Sequence, residues 1–364
     1  MKVAGIDTGI DHGPPPPMKK VTIKEVARAA GVSPMTVSRV LNDRPDVSAV
    51  TRQRVQGVIR QLGYRPSAVA RSLIRGESLS LGIAVFGLEH YGPSHTVVGV
   101  EKMAEELGYS MVVALMHSGN PHRKTQEQIL SNLSSRQVDG IVWAIAEHEN
   151  NRDWLCRQAR ELPIPVVFLN MKPRPDVTMV AINNYGGARQ ATEHLLKQGY
   201  RKIGHITGPM NWWEAAQREA GWRDAMQEAG LPIGRLEVFG DWSAASGDAG
   251  MQRLLEEAPD IEALFASNDQ MALGALRAAR STGRRVPEDL AVVGFDDIPE
   301  AAYFHPPLTT IRQDLQRMGT MAVQLVHKMI ENGKQGEDPR PEVQWVQPEL
   351  VTRQSSIASP AGLN

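Results

Sequence analysis

Arg218, Asp296, Asn268 and Trp242 are the side chains of this 364-residue sequence whose chemistry suits a polyhydroxylated ligand. A guanidinium donates and a carboxylate accepts across adjacent hydroxyls, an amide does both, and an indole offers its face to a pyranose ring. Trp212 and Trp213 stand side by side just before Glu214, on what reads as a strand-to-helix turn. As a pair they suggest a platform for a second ring, hence a disaccharide or an aryl glycoside; the other reading is one core tryptophan and one lid residue. Trp222, four residues past Arg218, reads as core. Catalysis finds little support: HExxH, GxSxG and Walker patterns are missing, and the ten histidines have no ligand spacing. Asp296 and Asp297 are adjacent and should point to opposite faces of a strand end, a poor arrangement for paired acid–base work. No metal or cofactor is expected, and the lone Cys156 excludes an internal disulfide framework and reads as an inert thiol. The expectation is a binding protein, not an enzyme.

The elements that must position these groups fall into two parts of opposite charge. Residues 18–77 carry twelve Lys/Arg against four Asp/Glu, a net of +8, while residues 78–364 carry −8. A basic head on an acidic body is the electrostatic footprint of a nucleic-acid binder. Residues 1–17 end in four prolines and read as a disordered tail, with Met18 a second plausible start. The absence of an apolar leader or spanning segment makes a cytoplasmic protein the expectation.

Three short helices are expected in 18–65. Thr22 and Glu25 form a capping box, and Gly31 stops the first helix. Ser33 caps the second, with Pro34 at its first position and Val37, Val40 and Leu41 inward. The third runs from about Ser48 to Leu62. Residues 66–78 read as a short hinge helix and linker, too short to be stable alone. From Leu79 onward short apolar runs alternate with amphipathic stretches. The predicted strands are 81–86, 111–115, 140–143, 166–169, 203–207, 263–267 and 291–295, and the predicted helices include 97–107, 187–198, 214–229 and 270–282. Such alternation implies doubly wound parallel sheets, and the length of 79–353 suits two similar lobes. Ligands then sit beyond the strand C-terminal ends, where Asn170, Thr207, Asn268 and Asp296 fall. Residues 354–364, rich in Ser, Pro and Gly, read as a flexible tail.

The run Thr22–Ala27 through Ala30–Asn42, with its TVSRVLN stretch, closely resembles the DNA-binding head of the LacI/GalR family of bacterial repressors. PSAVARSL at 66–73 resembles that family's hinge helix. The resemblance continues through SNDQMALG at 267–274, VGFDD at 293–297 and PLTTI at 307–311. It implies a helix-turn-helix head on an α/β body like periplasmic binding proteins, working as a homodimer on double-stranded operator DNA. It places Pro34, Met35 and Arg39 at base-reading positions, where Arg39 can reach a guanine through O6 and N7. Thr22, Ser33, Thr36, Asn42 and Arg52 suit phosphate contacts. Leu73 becomes the apolar lever of the hinge in the minor groove, with small Ala70 allowing close approach.

By motif, Arg218, Trp242, Asn268 and Asp296 match effector positions of the family. Asn170 and Ala144 depart from a sugar-responsive member, which leaves the sugar open. Tyr91 and Pro93 lie on the first-lobe loop facing the pocket. The implied function is a repressor released from its operator by a sugar, with co-repression by a purine or other small metabolite as the alternative. A carbohydrate-binding protein without a regulatory role is the alternative of another class. The ending at 352–364 carries no leucine heptad, so a dimer and not a tetramer is expected.

Overall fold

The computed structural model describes residues 21–64, 77–116, 123–145, 147, 151–337 and 340–357. The tail 1–17, the second start Met18 and the hinge residues Ala70 and Leu73 lie outside the described residues. The chain divides into two compact units, one ending at Ser78 and the other beginning at Leu79.

The first unit is three helices: α1 (Ile23–Ala30), α2 (Pro34–Leu41) and α3 (Ala49–Leu62). The capping box forms as expected: the Glu25 N–H donates to Thr22 Oγ1, and the Thr22 N–H donates to the Glu25 carboxylate at 2.7 Å. Gly31 and Gly63 end α1 and α3 in the left-handed conformation. Val26, Ala27 and Ala30 of α1, Val37 and Val40 of α2 and Val55 of α3 make the core of this unit. Three inward faces with few large side chains give a small core, which the caps must supplement.

The second unit is two α/β lobes. In the first, β1 (Ser80–Phe86), β2 (Ser110–Met116), β3 (Gly140–Ala144), β4 (Val166–Leu169), β5 (Thr178–Ile182) and β11 (Val343–Val346) form an all-parallel sheet ordered β11-β5-β4-β3-β1-β2. Helices α4 (Tyr91–Glu106), α5 (Arg123–Ser135), α6 (Asn151–Glu161) and α11 (Leu315–Lys334) belong to it. In the second, β6 (Ile203–Thr207), β7 (Glu237–Phe239), β8 (Ala263–Ala266), β9 (Ala291–Asp296), β10 (Thr309–Arg312) and β12 (Glu349–Val351) are ordered β12-β10-β9-β8-β6-β7, only β12 being antiparallel. Its helices are α7 (Asn184–Lys197), α8 (Trp213–Glu228), α9 (Ala244–Glu257) and α10 (Asp269–Ser281).

The central strands are buried along their whole length, which is why they read as continuous apolar runs. The chain passes between lobes after β5, after β10 and after β11, so the lobes are tied by three strands of backbone. Among the described residues no helix is long and apolar enough to cross a membrane.

All seven predicted strands are present within a residue or so at each end, and β5, β7, β10, β11 and β12 are additional. One boundary needs correction. Residues 354–357 are part of the body, not of a flexible tail. Ser355 and Ser356 are fully buried, the Val292 N–H donates to the Ser355 carbonyl at 2.7 Å, and Ser355 Oγ donates back to the Val292 carbonyl. Ser356 Oγ bonds His194 Nε2 and Thr309 Oγ1, both at 2.7 Å. The segment thus satisfies backbone groups of β9 that would otherwise be orphaned.

Candidate functional site

On the first unit, α2 turns Val37 and Val40 inward and leaves Pro34, Met35 and Arg39 outward, Met35 being 64% exposed. Arg39 Nη1 lies 3.0 Å from Asp46 in an exposed pair, which solvent screens and a stronger partner can displace. The polar groups around this face are engaged locally. Ser33 Oγ accepts from the Thr36 N–H at 3.1 Å and shares a hydrogen bond with the Thr36 hydroxyl, while Asn42 Nδ2 donates to the Ser38 carbonyl. Arg52 is engaged locally too. Its guanidinium donates to the Asp43 carboxylate and, at 2.6 Å, to the Arg44 carbonyl, so it staples the loop after α2 to α3.

In the second unit a cavity of about 340 Å³ opens where the strands of both sheets end, large enough for a small-molecule ligand. Phe86, His90, Tyr91, Pro93, Ala144 and Asn170 line it from the first lobe. Trp212, Glu214, Arg218, Trp242, Asn268 and Asp296 line it from the second. The topology dictates this gathering: Asn170 follows β4, Asp296 ends β9, Asn268 caps α10 after β8, and Arg218 projects from α8.

Arg218 and Asp296 sit at the heart of the cavity, 5% and 7% exposed. Arg218 Nε donates to Asn184 Oδ1 at 2.8 Å and its Nη1 donates to the Ser267 carbonyl. The guanidinium lies 3.8 Å from the Phe295 ring centroid and 5.5 Å from that of Trp242. Burial pulls its pKa down, opposed first by the Asp296 carboxylate. Gln313 Nε2 donates to Asp296 Oδ1 at 2.5 Å. Burial still pushes the Asp296 carboxyl up to about 6, against the pull of Arg218 and Gln313. Asp297 points the other way, to Arg312 and Arg353, as a strand end requires.

The remaining polar groups are preset by their surroundings. Asn268 Oδ1 caps α10 by accepting from the Met271 N–H, and its Nδ2 donates to the Trp242 carbonyl at 3.0 Å. Much of its amide is therefore spent on holding Trp242. Asn170 Oδ1 accepts from the Ile182 N–H. Asn170, Trp242 and Asp296 all have positive φ, at 43°, 74° and 120°. Three non-glycine residues with positive φ around one cavity, one from the first lobe and two from the second, is the pattern of a preorganised binding site. Gly208 makes room for Trp242: a Cβ there would stand 2.1 Å from the indole.

Trp212 lies amid aromatic groups of both lobes, 5.7 Å from Phe86, 6.1 Å from His90 and 6.0 Å from Trp242, the last two edge-on. Trp213 does not join it, so the platform of two indoles is not formed and the pair divides into one cavity residue and one core residue. The Trp213 ring packs 6.4 Å from Trp345 and against the first-lobe core, and its N–H donates to the Glu147 carbonyl. Trp212 is the extended residue before α8 and Trp213 is its first helical residue, so the two indoles leave the chain in different directions, and only Trp212 reaches the cavity of Arg218 and Asp296. Trp222 is fully buried, its Nε1 donating to the Ile203 carbonyl, and Cys156 is buried with its thiol pKa raised by burial.

Several cavity residues escaped the sequence reading: Phe86, His90, Gln313, Met318 and above all Glu214. Glu214 was visible in principle, since it precedes Arg218 by four positions and must share its helix face. Gln313 comes from the crossover between β10 and α11, and no local pattern marks it. Among the described residues no group of three His, Cys, Asp or Glu is disposed to hold a metal ion.

Comparison with known proteins places this geometry. Residues 22–67 match the model of bacterial regulatory proteins of the lacI family, and residues 192–356 match that of a periplasmic binding protein-like domain. The HTH-type transcriptional regulator CelR of Thermobifida fusca is 36% identical over 348 residues, covering 93% of this chain and 98% of its own. The lactose operon repressor of Escherichia coli (strain K12) is 35% identical over 307 residues, 84% of each chain. The HTH-type transcriptional repressor PurR of Haemophilus influenzae (strain PittEE) is 36% identical over 335 residues, 92% of this chain and 98% of its own. Among solved structures, the lac repressor dimer bound to operator and the anti-inducer ONPF superposes with a TM-score of 0.85 at 32% identity, covering 93% of this chain and 100% of that one. A CelR–cellobiose complex gives 0.68 at 33% identity, covering 92% and 100%.

Proposed function

The chain belongs to the lacI family of bacterial regulatory proteins, and we propose that it is a sugar-responsive repressor whose inducer is a disaccharide or β-glycoside. The observation that carries the sugar reading is the pairing of Arg218 with Asp296 beside the indoles of Trp212 and Trp242 in one cavity. A charged donor and a charged acceptor suit vicinal hydroxyls, and the indole faces suit the apolar face of a pyranose. Two indoles in contact favour a ligand of two rings. Tyr91, Pro93 and Asn170 close the cavity from the first lobe, and Asn268 supports it by fixing Trp242.

The head reads operator DNA, as the lac repressor does, with two copies of the chain on a two-fold site. Pro34, Met35 and Arg39 face base edges, while Thr22, Ser33, Thr36 and Asn42 position the helix on phosphates. Ala70 and Leu73 enter the minor groove. Sugar binding favours a closed arrangement of the lobes, tied as they are by three crossings, and that arrangement disfavours the DNA-bound dimer.

The test is a thermal-shift and calorimetric panel of monosaccharides, β-linked disaccharides and purine bases, with operator release measured for each binder. A sugar at a hundred times its Kd should stabilise the protein by about 2.7 kcal/mol and lower operator occupancy. A purine that binds in place of sugars and tightens operator binding would shift the reading to co-repression, which the PurR relative keeps in view.

A further inference from the structure

Glu214 is a cavity carboxylate to which the scheme above gives no task. It stands in the first turn of α8, one turn ahead of Arg218, and lines the same cavity. Four residues of helix advance about 6 Å, the scale of one sugar ring. Trp212, two residues earlier, borders the same stretch of wall. Part of the Glu214 side chain opens to the cavity, yet its Oε2 is sealed and has no hydrogen-bond partner. Arg218 does not serve it, being engaged with Asn184, Ser267 and Asp296. A buried acceptor left without a donor costs about 1–3 kcal/mol, and the cavity is where a donor can enter.

Charges face Glu214 from several elements. Arg218 lies on its own helix, and Arg152 on α6 is fully buried with none of its guanidinium nitrogens hydrogen-bonded. Glu147 follows β3, and Asp296 and Asp241 line the same cavity. Burial outweighs the hydrogen bond from its own backbone N–H and the two cations, with Glu147 adding to the rise, and holds the Glu214 carboxyl at about 7.

Resting on a saccharide effector, we propose that Glu214 reads the ring next to the one held by Arg218 and Asp296, its ionised carboxylate accepting from that ring's hydroxyls and making effector affinity rise with pH across neutrality. The proton displaced from the carboxyl on binding goes to solvent. A monosaccharide filling only the Arg218–Asp296 end does not feel Glu214.

The experiment uses the full chain, with cellobiose and lactose as two-ring probes and glucose as the one-ring control, followed by tryptophan fluorescence between pH 6.5 and 8.5. Disaccharide affinity should rise about three- to fivefold over that range, with proton release detected by calorimetry in buffers of different ionisation enthalpy. Glu214→Gln should flatten the profile and weaken disaccharide binding about tenfold at pH 8, with glucose and operator affinity unchanged. A parent profile that is flat and releases no proton overturns the proposal, and needs no variant. So does a Glu214→Gln protein with the parent's profile, or one whose sugar-free operator affinity shifts as much as its sugar affinity. If no saccharide binds the parent, the saccharide reading itself falls, an outcome distinct from disaccharide binding that ignores Glu214.

Discussion

Arg218 Nη1 lies 3.8 Å from Asp296 Oδ1, close enough for charge attraction and too far for a direct hydrogen bond. Both groups are held from behind, Arg218 by Asn184 and Ser267 and Asp296 by Gln313. The pair is therefore set apart by its supports, at a spacing that a ligand's hydroxyls can bridge without moving either side chain. Preorganisation of this kind lowers the entropic cost of binding.

Trp212 and Trp213 should separate binding from stability. Trp212→Ala is expected to weaken disaccharide binding by about 0.5–1.5 kcal/mol beyond lost area, with little change in melting temperature. Trp213→Ala should lower stability on the order of 2 kcal/mol and leave the sugar affinity of the folded protein nearly intact. Calorimetry and thermal melts on the two variants decide this, and the reverse pattern would return Trp213 to the cavity.

Arg39→Ala should relax preference at one operator base pair, at a cost of about 1–3 kcal/mol, because the exposed pair with Asp46 leaves its guanidinium available. Binding titrations on a set of singly substituted operators provide the check. Equal weakening on every sequence would make Arg39 a phosphate contact.

Ending the chain at Arg353 should destabilise the body, since it removes the Ser355 and Ser356 hydroxyls and the backbone partner of Val292. Each buried group left unpartnered costs about 1–3 kcal/mol. Ser355→Ala should reproduce part of the loss in a denaturant melt. A melt unchanged by the truncation would restore 354–357 to the status of a dispensable tail.

How far the sequence carried the reading depends on whether a residue's task is local. Thr22, Ser33 and Gly31 act within a turn of themselves, and the three helices of the head were legible for that reason. Arg218 and Asp296 were legible from side-chain chemistry and motif, although they meet only through the fold. The sequence leaves the roles of Trp212 and Trp213 undivided, because adjacency along the chain does not say which indole the fold turns to the cavity and which to the core. Ser355 and Ser356 were hidden by composition: a Ser-rich ending resembles a linker until β9 supplies the groups it must satisfy. β7, β10, β11 and β12 are short and carry polar or exposed positions (Glu237, Arg312, Gln344, Glu349), so they lack the continuous apolar run that marks β4 and β8, and Glu214 has a cavity for a partner.

Acid should weaken sugar binding through Asp296. Its pKa of about 6 means that it is ionised at pH 7 and protonated at pH 5, and only the ionised form accepts from two hydroxyls. Affinity should therefore fall as pH drops through 6, with a limiting slope of about tenfold per unit. In the unliganded body the sign is opposite. A carboxyl whose pKa is raised on folding binds its proton more tightly when folded, so its contribution to stability declines as pH rises from about 4 to about 6. Binding titrations from pH 5 to 7 in a Glu214→Gln background isolate Asp296, and a flat profile there would deny it the contact.

The central claim is that the cavity around Asp296 senses sugar and that Asp296 itself takes no part in the contact with DNA. Fluorescence anisotropy of a labelled operator, titrated with the tightest-binding sugar, measures both for the parent and for Asp296→Asn. The variant keeps the shape and loses a charge-assisted acceptor, worth about 1.5–3 kcal/mol, or roughly 10- to 150-fold in affinity. The account predicts parent-like operator affinity without sugar and release only at sugar concentrations higher by that factor. Release of Asp296→Asn at the parent's sugar concentration would contradict it.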